Sequence, residues 1–124
     1  MSGMKVLVVD DDMINRKLLA AMLKKHPNIG EIIEASDGQE AITLMRDFPN
    51  IDMVLLDIIM PIMDGIAVLQ IMNSDPKLSK IPVIVLTTDE SKKTEALNSG
   101  ANDFIAKPVR ENDIMSKIER LTSL

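Results

Sequence analysis

The stretch Met53-Val54-Leu55-Leu56-Asp57-Ile58-Ile59-Met60-Pro61 is an apolar run interrupted by one carboxylate and ended by a proline. Four large apolar residues in succession fit a strand buried on both faces, and Pro61 breaks the chain in the loop that follows. Asp57 then falls at the carboxyl end of a buried strand, where an ionised group is costly unless something neutralises or uses it. Two other runs end in a comparable way: Val6-Leu7-Val8-Val9 precedes Asp10-Asp11-Asp12, and Val83-Ile84-Val85-Leu86 precedes Thr87-Thr88. Carboxylates and hydroxyls meeting at one edge of a sheet would make a phosphate and metal site.

Strand and helix patterns alternate around these runs. Strands are predicted over about Lys5–Val9, Glu31–Glu34, Asp52–Leu56, Pro82–Leu86 and Asp103–Ala106. The first helix places Ile14, Leu18, Leu19, Met22 and Leu23 on one face and stops near His26-Pro27. The second opens at Ser36-Asp37-Gly38, where Asp37 and Glu40 have the form of a capping box, and runs to about Arg46 with Ala41, Ile42, Leu44 and Met45 inward. Three more helices are predicted over about Gly65–Asn73, Glu90–Ser99 with Gly100 as its cap, and Arg110–Leu121 with Ile114 and Ile118 in the core. Asp12 is expected to cap the first helix.

Five such units in a row imply α/β architecture, a parallel sheet covered by helices on both faces. Strands 1, 3 and 4 are almost wholly apolar and suit the centre; strands 2 and 5 are shorter and more polar and suit the edges. The flavodoxin-like order 2-1-3-4-5, a (βα)5 three-layer sandwich, puts strands 1, 3 and 4 side by side. Its switch point lies between strands 1 and 3, where ligands bind beyond the carboxyl ends. Those ends carry Asp10, Asp11 and Asp57.

The 124 residues fit one domain over 1–124, with neither repeat nor low-complexity segment. A net charge of −5 argues against nucleic-acid binding. No apolar stretch approaches the ~20 residues of a membrane span, and no secretory signal is evident. The absence of cysteine removes disulfides and thiolate chemistry and agrees with a cytoplasmic setting. The Met residues read as core filler except near Met60 and Met63, and His26 reads as a surface residue.

Like charges as close as Asp10, Asp11 and Asp57 raise one another's pKa or recruit a cation. Oxygen donors without Cys or nearby His favour Mg²⁺, with Mn²⁺ as the alternative. Thr87 closes strand 4 with a hydroxyl, and Lys107 closes strand 5 with a point charge that Pro108 confines to extended geometry.

Val8-Val9-Asp10-Asp11, Leu55-Leu56-Asp57, Met60-Pro61, Met63-Asp64-Gly65, Thr87 and Lys107-Pro108 occur in the order found in the receiver domains of two-component response regulators, the CheY-like family, which this chain resembles along essentially its whole length. The resemblance implies that Asp57 accepts a phosphoryl group from a phosphohistidine on a sensor histidine kinase or histidine phosphotransfer protein. It implies Mg²⁺ bound by Asp11, Asp57 and the Ile59 carbonyl, with Asp10 assisting through water. Thr87 and Lys107 would contact the phosphoryl oxygens. Thr87 and Phe104 would then switch the surface of helix 4, strand 5 and helix 5 toward a downstream protein target or output domain, as a monomer or a phosphorylation-dependent dimer. Phe104 stands where the family often has Tyr, and Thr88 is bulkier than usual there. Ile59 and Asp89 flank the site.

Two rival readings remain at this point. A haloacid-dehalogenase-type phosphatase would use Asp10 as nucleophile in Asp10-Asp11-Asp12 and leave Asp57 incidental. Ile14 and the absence of a late acidic pair disagree with that pattern. A pseudo-receiver would be an interaction module alone, which the full acidic set and Lys107 oppose. With no linker after Leu124 a stand-alone receiver is expected, although Asn15-Arg16 also occurs in receivers of hybrid kinases.

Overall fold

Alternate residues of a strand face opposite sides of its sheet, and in the central strands both sides are apolar. A computed structural model describes residues 3–48 and 50–122. The elements run β1 (Met4–Val9), α1 (Met13–Leu23), β2 (Ile29–Ala35), α2 (Gly38–Asp47), β3 (Met53–Asp57), α3 (Gly65–Ser74), β4 (Val83–Thr87), α4 (Lys93–Asn98), β5 (Asp103–Ala106) and α5 (Glu111–Thr122). All strands pair in parallel in the order β2-β1-β3-β4-β5, the flavodoxin-like arrangement.

Val6, Val8, Met53, Leu55, Ile84 and Leu86 point to one side, against Leu19 and Leu23 of α1 and Ile114 and Ile118 of α5. Leu7, Val9, Val54, Leu56, Val83 and Val85 point to the other, against Ala41, Ile42 and Met45 of α2, Val68, Leu69 and Met72 of α3, and Ala96 of α4. Two helices thus cover one face and three the other.

Helix starts follow from side-chain oxygens. Asp12 accepts the Ile14 N–H at 2.9 Å, Asp37 the Glu40 N–H at 2.8 Å and Asp64 the Ala67 N–H at 2.9 Å, each satisfying an N–H that has no partner in the first turn. The capping box at α2 is displaced by one residue, because Glu40 accepts from the Ser36 N–H at 2.6 Å rather than from that of Asp37. Gly100 has φ of +115°, the left-handed geometry of a residue just past a helix end.

Several expectations need correction. β2 begins at Ile29, two residues early, because Ile29 pairs with Met4 across an irregularity in β1. The fourth helix is only Lys93–Asn98, preceded by a single 3₁₀ turn over Glu90–Lys92 that Asp89 caps through the Ser91 N–H. On α1 the apolar stripe divides: Leu19 and Leu23 are buried, whereas Ile14 and Leu18 are 67% and 56% exposed. His26 is buried, since its Nδ1 accepts the Asn28 N–H and closes the turn after α1. Met60 is buried, while Met13 lies exposed at the start of α1. Among the described residues no helix is long and apolar enough to cross a membrane.

Candidate functional site

Ladder bonds that continue just past the strand ends bring the polar residues level with one another. The Asp10 N–H donates to the Ala35 carbonyl at 3.1 Å, the Ile58 N–H to the Leu86 carbonyl at 3.2 Å and the Lys107 N–H to the Thr87 carbonyl at 2.9 Å. Asp10, Asp57, Thr87 and Lys107, from four parts of the sequence, therefore share the carboxyl edge of one sheet, beside the switch point between β1 and β3.

Asp10, Asp57 and Thr87 are the buried polar side chains at this edge. The Lys107 ammonium lies 3.0 Å from Asp10 Oδ2 and 3.3 Å from Asp57 Oδ1, linking the two acids. Burial pushes the Asp57 carboxyl up from the ordinary 3.8 to about 6; Lys107 opposes that rise, while Asp10 and Asp11 add to it. Burial alone would depress the Lys107 ammonium, but its hydrogen bond to Asp10 and the charge of Asp57 outweigh burial and raise its pKa. The cluster is thus an ion network with one positive charge for three acids.

Asp10, Asp11 and Asp57 each offer a carboxylate oxygen, all within 4.8 Å of one another. These are hard oxygen donors, the chain has no cysteine, and its only histidine sits beyond the far end of α1. Such a donor set fits a small hard cation of the Mg²⁺ or Mn²⁺ kind. Ile59, two residues past Asp57, is in the adjoining loop with its side chain 55% exposed.

Thr87 Oγ1 accepts the Asp89 N–H at 3.1 Å, which leaves the hydroxyl hydrogen free to donate elsewhere. Phe104, opposite Val85 in the β4–β5 ladder, is buried, with the Lys93 ammonium 5.8 Å from its ring centre. The loop after β3 folds back tightly over Asp57: the Gly65 N–H donates to the Ile58 carbonyl at 2.7 Å, and a Cβ on Gly65 would lie 2.5 Å from the Asp57 carbonyl oxygen. Ile62 in the same loop has φ of +71°, uncommon for a β-branched residue, and is 85% exposed.

Two depressions flank the edge. One, about 370 Å³, runs from Asp10 and Lys107 past Thr88, Pro108 and Val109 to Leu18 and Met22 of α1. The other, about 440 Å³, lies between the start of α3 and the 3₁₀ turn, lined by Ile59, Met60, Asp64, Lys92 and Glu95 among others. Sequence reasoning gave no role to Arg16, whose guanidinium donates to the Asp10 carbonyl at 2.7 Å and to Glu34 at 3.1 Å. A cation one turn into α1, four residues after a capping acid, was the available signal.

The sequence matches the response regulator receiver domain family over residues 6–119. It is 34% identical over 116 residues to the protein PilH of Pseudomonas aeruginosa, an alignment covering 92% of this chain and 93% of PilH. It is 36% identical over 121 residues to the response regulator PleD of Caulobacter vibrioides, covering 95% of this chain but 26% of PleD, so the chain spans about a quarter of that relative's length. The crystal structure of the chemotaxis protein CheY4 of Vibrio cholerae superposes with a TM-score of 0.86 at 26% identity, covering 96% of this chain and 98% of CheY4. With this fold, this acidic edge and these relatives, the chain belongs to the receiver domain family of two-component response regulators.

Proposed function

We propose that residues 1–124 form a single receiver domain in which Asp57 is the phosphoryl acceptor and phosphohistidine on a sensor histidine kinase or histidine phosphotransfer protein is the donor. The observation that carries this reading is the buried Asp57 carboxylate, which Lys107 alone favours in its ionised form while burial and the neighbouring Asp10 and Asp11 oppose it, in an acidic cluster that a cation would relieve. In the reaction an Asp57 oxygen attacks phosphorus, the P–N bond to imidazole breaks, and an acyl phosphate forms. Asp11, Asp57 and the Ile59 carbonyl would hold Mg²⁺, with Asp10 assisting through water, and the bound ion would offset charge between carboxylate and phosphoryl group. Lys107, already 3.3 Å from Asp57, supplies a second positive charge for the transferred oxygens. The Thr87 hydroxyl supplies a donor.

The support for a protein donor is the surface beside Asp57. Met13, Ile14 and Leu18 are large, apolar and exposed along α1, and the groove from Leu18 leads directly to Asp10 and Lys107. A helical partner carrying histidine would cover this face as it delivers the phosphoryl group. The domain acts as a signalling switch that promotes its own phosphorylation and dephosphorylation. Drawing Thr87 toward the phosphoryl group strains its bond with the Asp89 N–H, and Asp89 caps the turn leading into α4. The α4–β5–α5 surface, including Phe104, then changes its affinity for a downstream target or output domain.

Fluoroberyllate with Mg²⁺, a phosphoryl mimic, tests this reading by amide NMR. Shifts are expected at Asp57, Thr87 and Lys107 and along α4 and β5. An unperturbed spectrum would point instead to an interaction module without phosphoryl chemistry.

A further inference from the structure

Asp10 is held at each of its polar atoms. Its N–H donates to Ala35 of β2 at 3.1 Å, its Oδ1 accepts the Asp12 N–H at 2.9 Å and its Oδ2 accepts from Lys107 at 3.0 Å. Its carbonyl accepts from the Arg16 guanidinium at 2.7 Å. Asp11 differs: it is exposed, and its carboxylate makes no hydrogen bond among the described residues. With no hydrogen bond of its own to steer it, that carboxylate depends on the backbone for where its side chain starts. The Asp10 carbonyl and the Asp11 N–H share one rigid peptide plane, so whatever fixes the carbonyl fixes the direction in which the chain enters Asp11.

Arg16 suits that task. Its side chain is only 14% exposed, and its planar fork spans two acceptors, the Asp10 carbonyl and Glu34 Oε1 at 3.1 Å. Glu34 lies on β2 and is held in turn by Lys17 at 2.8 Å. One side chain thus ties β2, α1 and the end of β1 together at the peptide that leads into Asp11.

We propose that Arg16 is a positioning residue for the cation site: anchored by Glu34, it holds the Asp10–Asp11 peptide so that the Asp11 carboxylate is aimed at Asp57. This rests on the acidic cluster being a Mg²⁺ site. Partners one step removed from a metal commonly change its affinity 10–100-fold when lost.

The test is calorimetric titration of the purified chain with Mg²⁺, with thermal melts in parallel. Arg16→Met is expected to bind about 10-fold more weakly than wild type. Arg16→Lys should recover part of the loss, because an ammonium reaches one acceptor but lacks the fork. Leu23→Ala, a core change at the far end of the same helix, should lower the melting temperature and leave Mg²⁺ affinity unchanged. If Arg16→Met does not fold, Arg16→Lys and Glu34→Gln carry the test, each expected to bind Mg²⁺ measurably more weakly than wild type because each weakens the bridge between Arg16 and Glu34 without removing it. Arg16 variants that bind like wild type, or a Leu23→Ala variant that loses as much affinity as they do, would overturn the assignment of Arg16 alone. A wild type that fails to bind Mg²⁺ would overturn the metal-site reading beneath it.

Discussion

On the faces of the sheet, Val6, Leu55 and Ile84 are fully buried among apolar side chains, whereas at the carboxyl ends of the same strands Asp10, Asp57 and Thr87 are buried at a polar edge. The faces gain stability from burial; the edge loses some. The raised pKa of Asp57 measures that loss, because it means the folded chain disfavours the ionised carboxylate. The residues that stabilise the fold and those that build the polar edge are therefore separable, and substitutions in the two regions should move stability in opposite directions.

The largest effect is expected on a face. Leu55→Ala empties a fully buried site between α1 and α5 and should cost about 2–5 kcal/mol, read from the urea midpoint. The edge should respond with the other sign. Between pH 3.8 and about 6 the folded metal-free chain holds more protons at Asp57 than the unfolded chain does, so this group's contribution to stability falls as pH rises through that window. Above it the loss reaches roughly 1–3 kcal/mol, the lower part of that range allowing for screening by the solvent at the edge. Without divalent cations, Asp57→Asn should be more stable than wild type at pH 7.5 and should lack this slope. Mg²⁺ should raise the urea midpoint of wild type and not of Asp57→Asn, and a chelator should reverse the gain. If Asp57→Asn were instead destabilised like Leu55→Ala, the contrast between face and edge would fail.

Gly65→Ala tests the loop that closes over the edge. Its Cβ meets the Asp57 carbonyl oxygen and the backbone must shift, so about 1–3 kcal/mol should be lost. The smallest effect belongs to Ile62. Asn tolerates the left-handed region better than a β-branched residue, so Ile62→Asn should gain about 0.5–1 kcal/mol in thermal melts.

The faces of this fold were easier to read than the edge. Runs such as Val83–Leu86 mark central strands because burial on both sides demands apolar residues throughout, and Asp10, Asp57 and Thr87 stand out because polar residues immediately follow or close such strands; Lys107 follows the more polar edge strand and is marked instead by the Pro108 after it. Helical periodicity was less decisive. It grouped Ile14 and Leu18 with Leu19 and Leu23, since spacing alone does not say how wide the covered stripe is, and the structure leaves the first two exposed. His26 misled because its burial depends on a local bond to the Asn28 N–H rather than on hydrophobicity. Arg16 escaped because its role depends on Glu34, eighteen residues away on a neighbouring strand. The site's carboxylates were legible as a local pattern; the side chains that aim them depend on tertiary contacts.

The most direct measurement is peptide mass spectrometry of the chain after incubation with acetyl phosphate and Mg²⁺. The phosphoryl label is expected on Asp57, absent in Asp57→Asn and absent when the cation is chelated. Label found on Asp10 and persisting in Asp57→Asn would contradict the account and favour a phosphatase-type nucleophile.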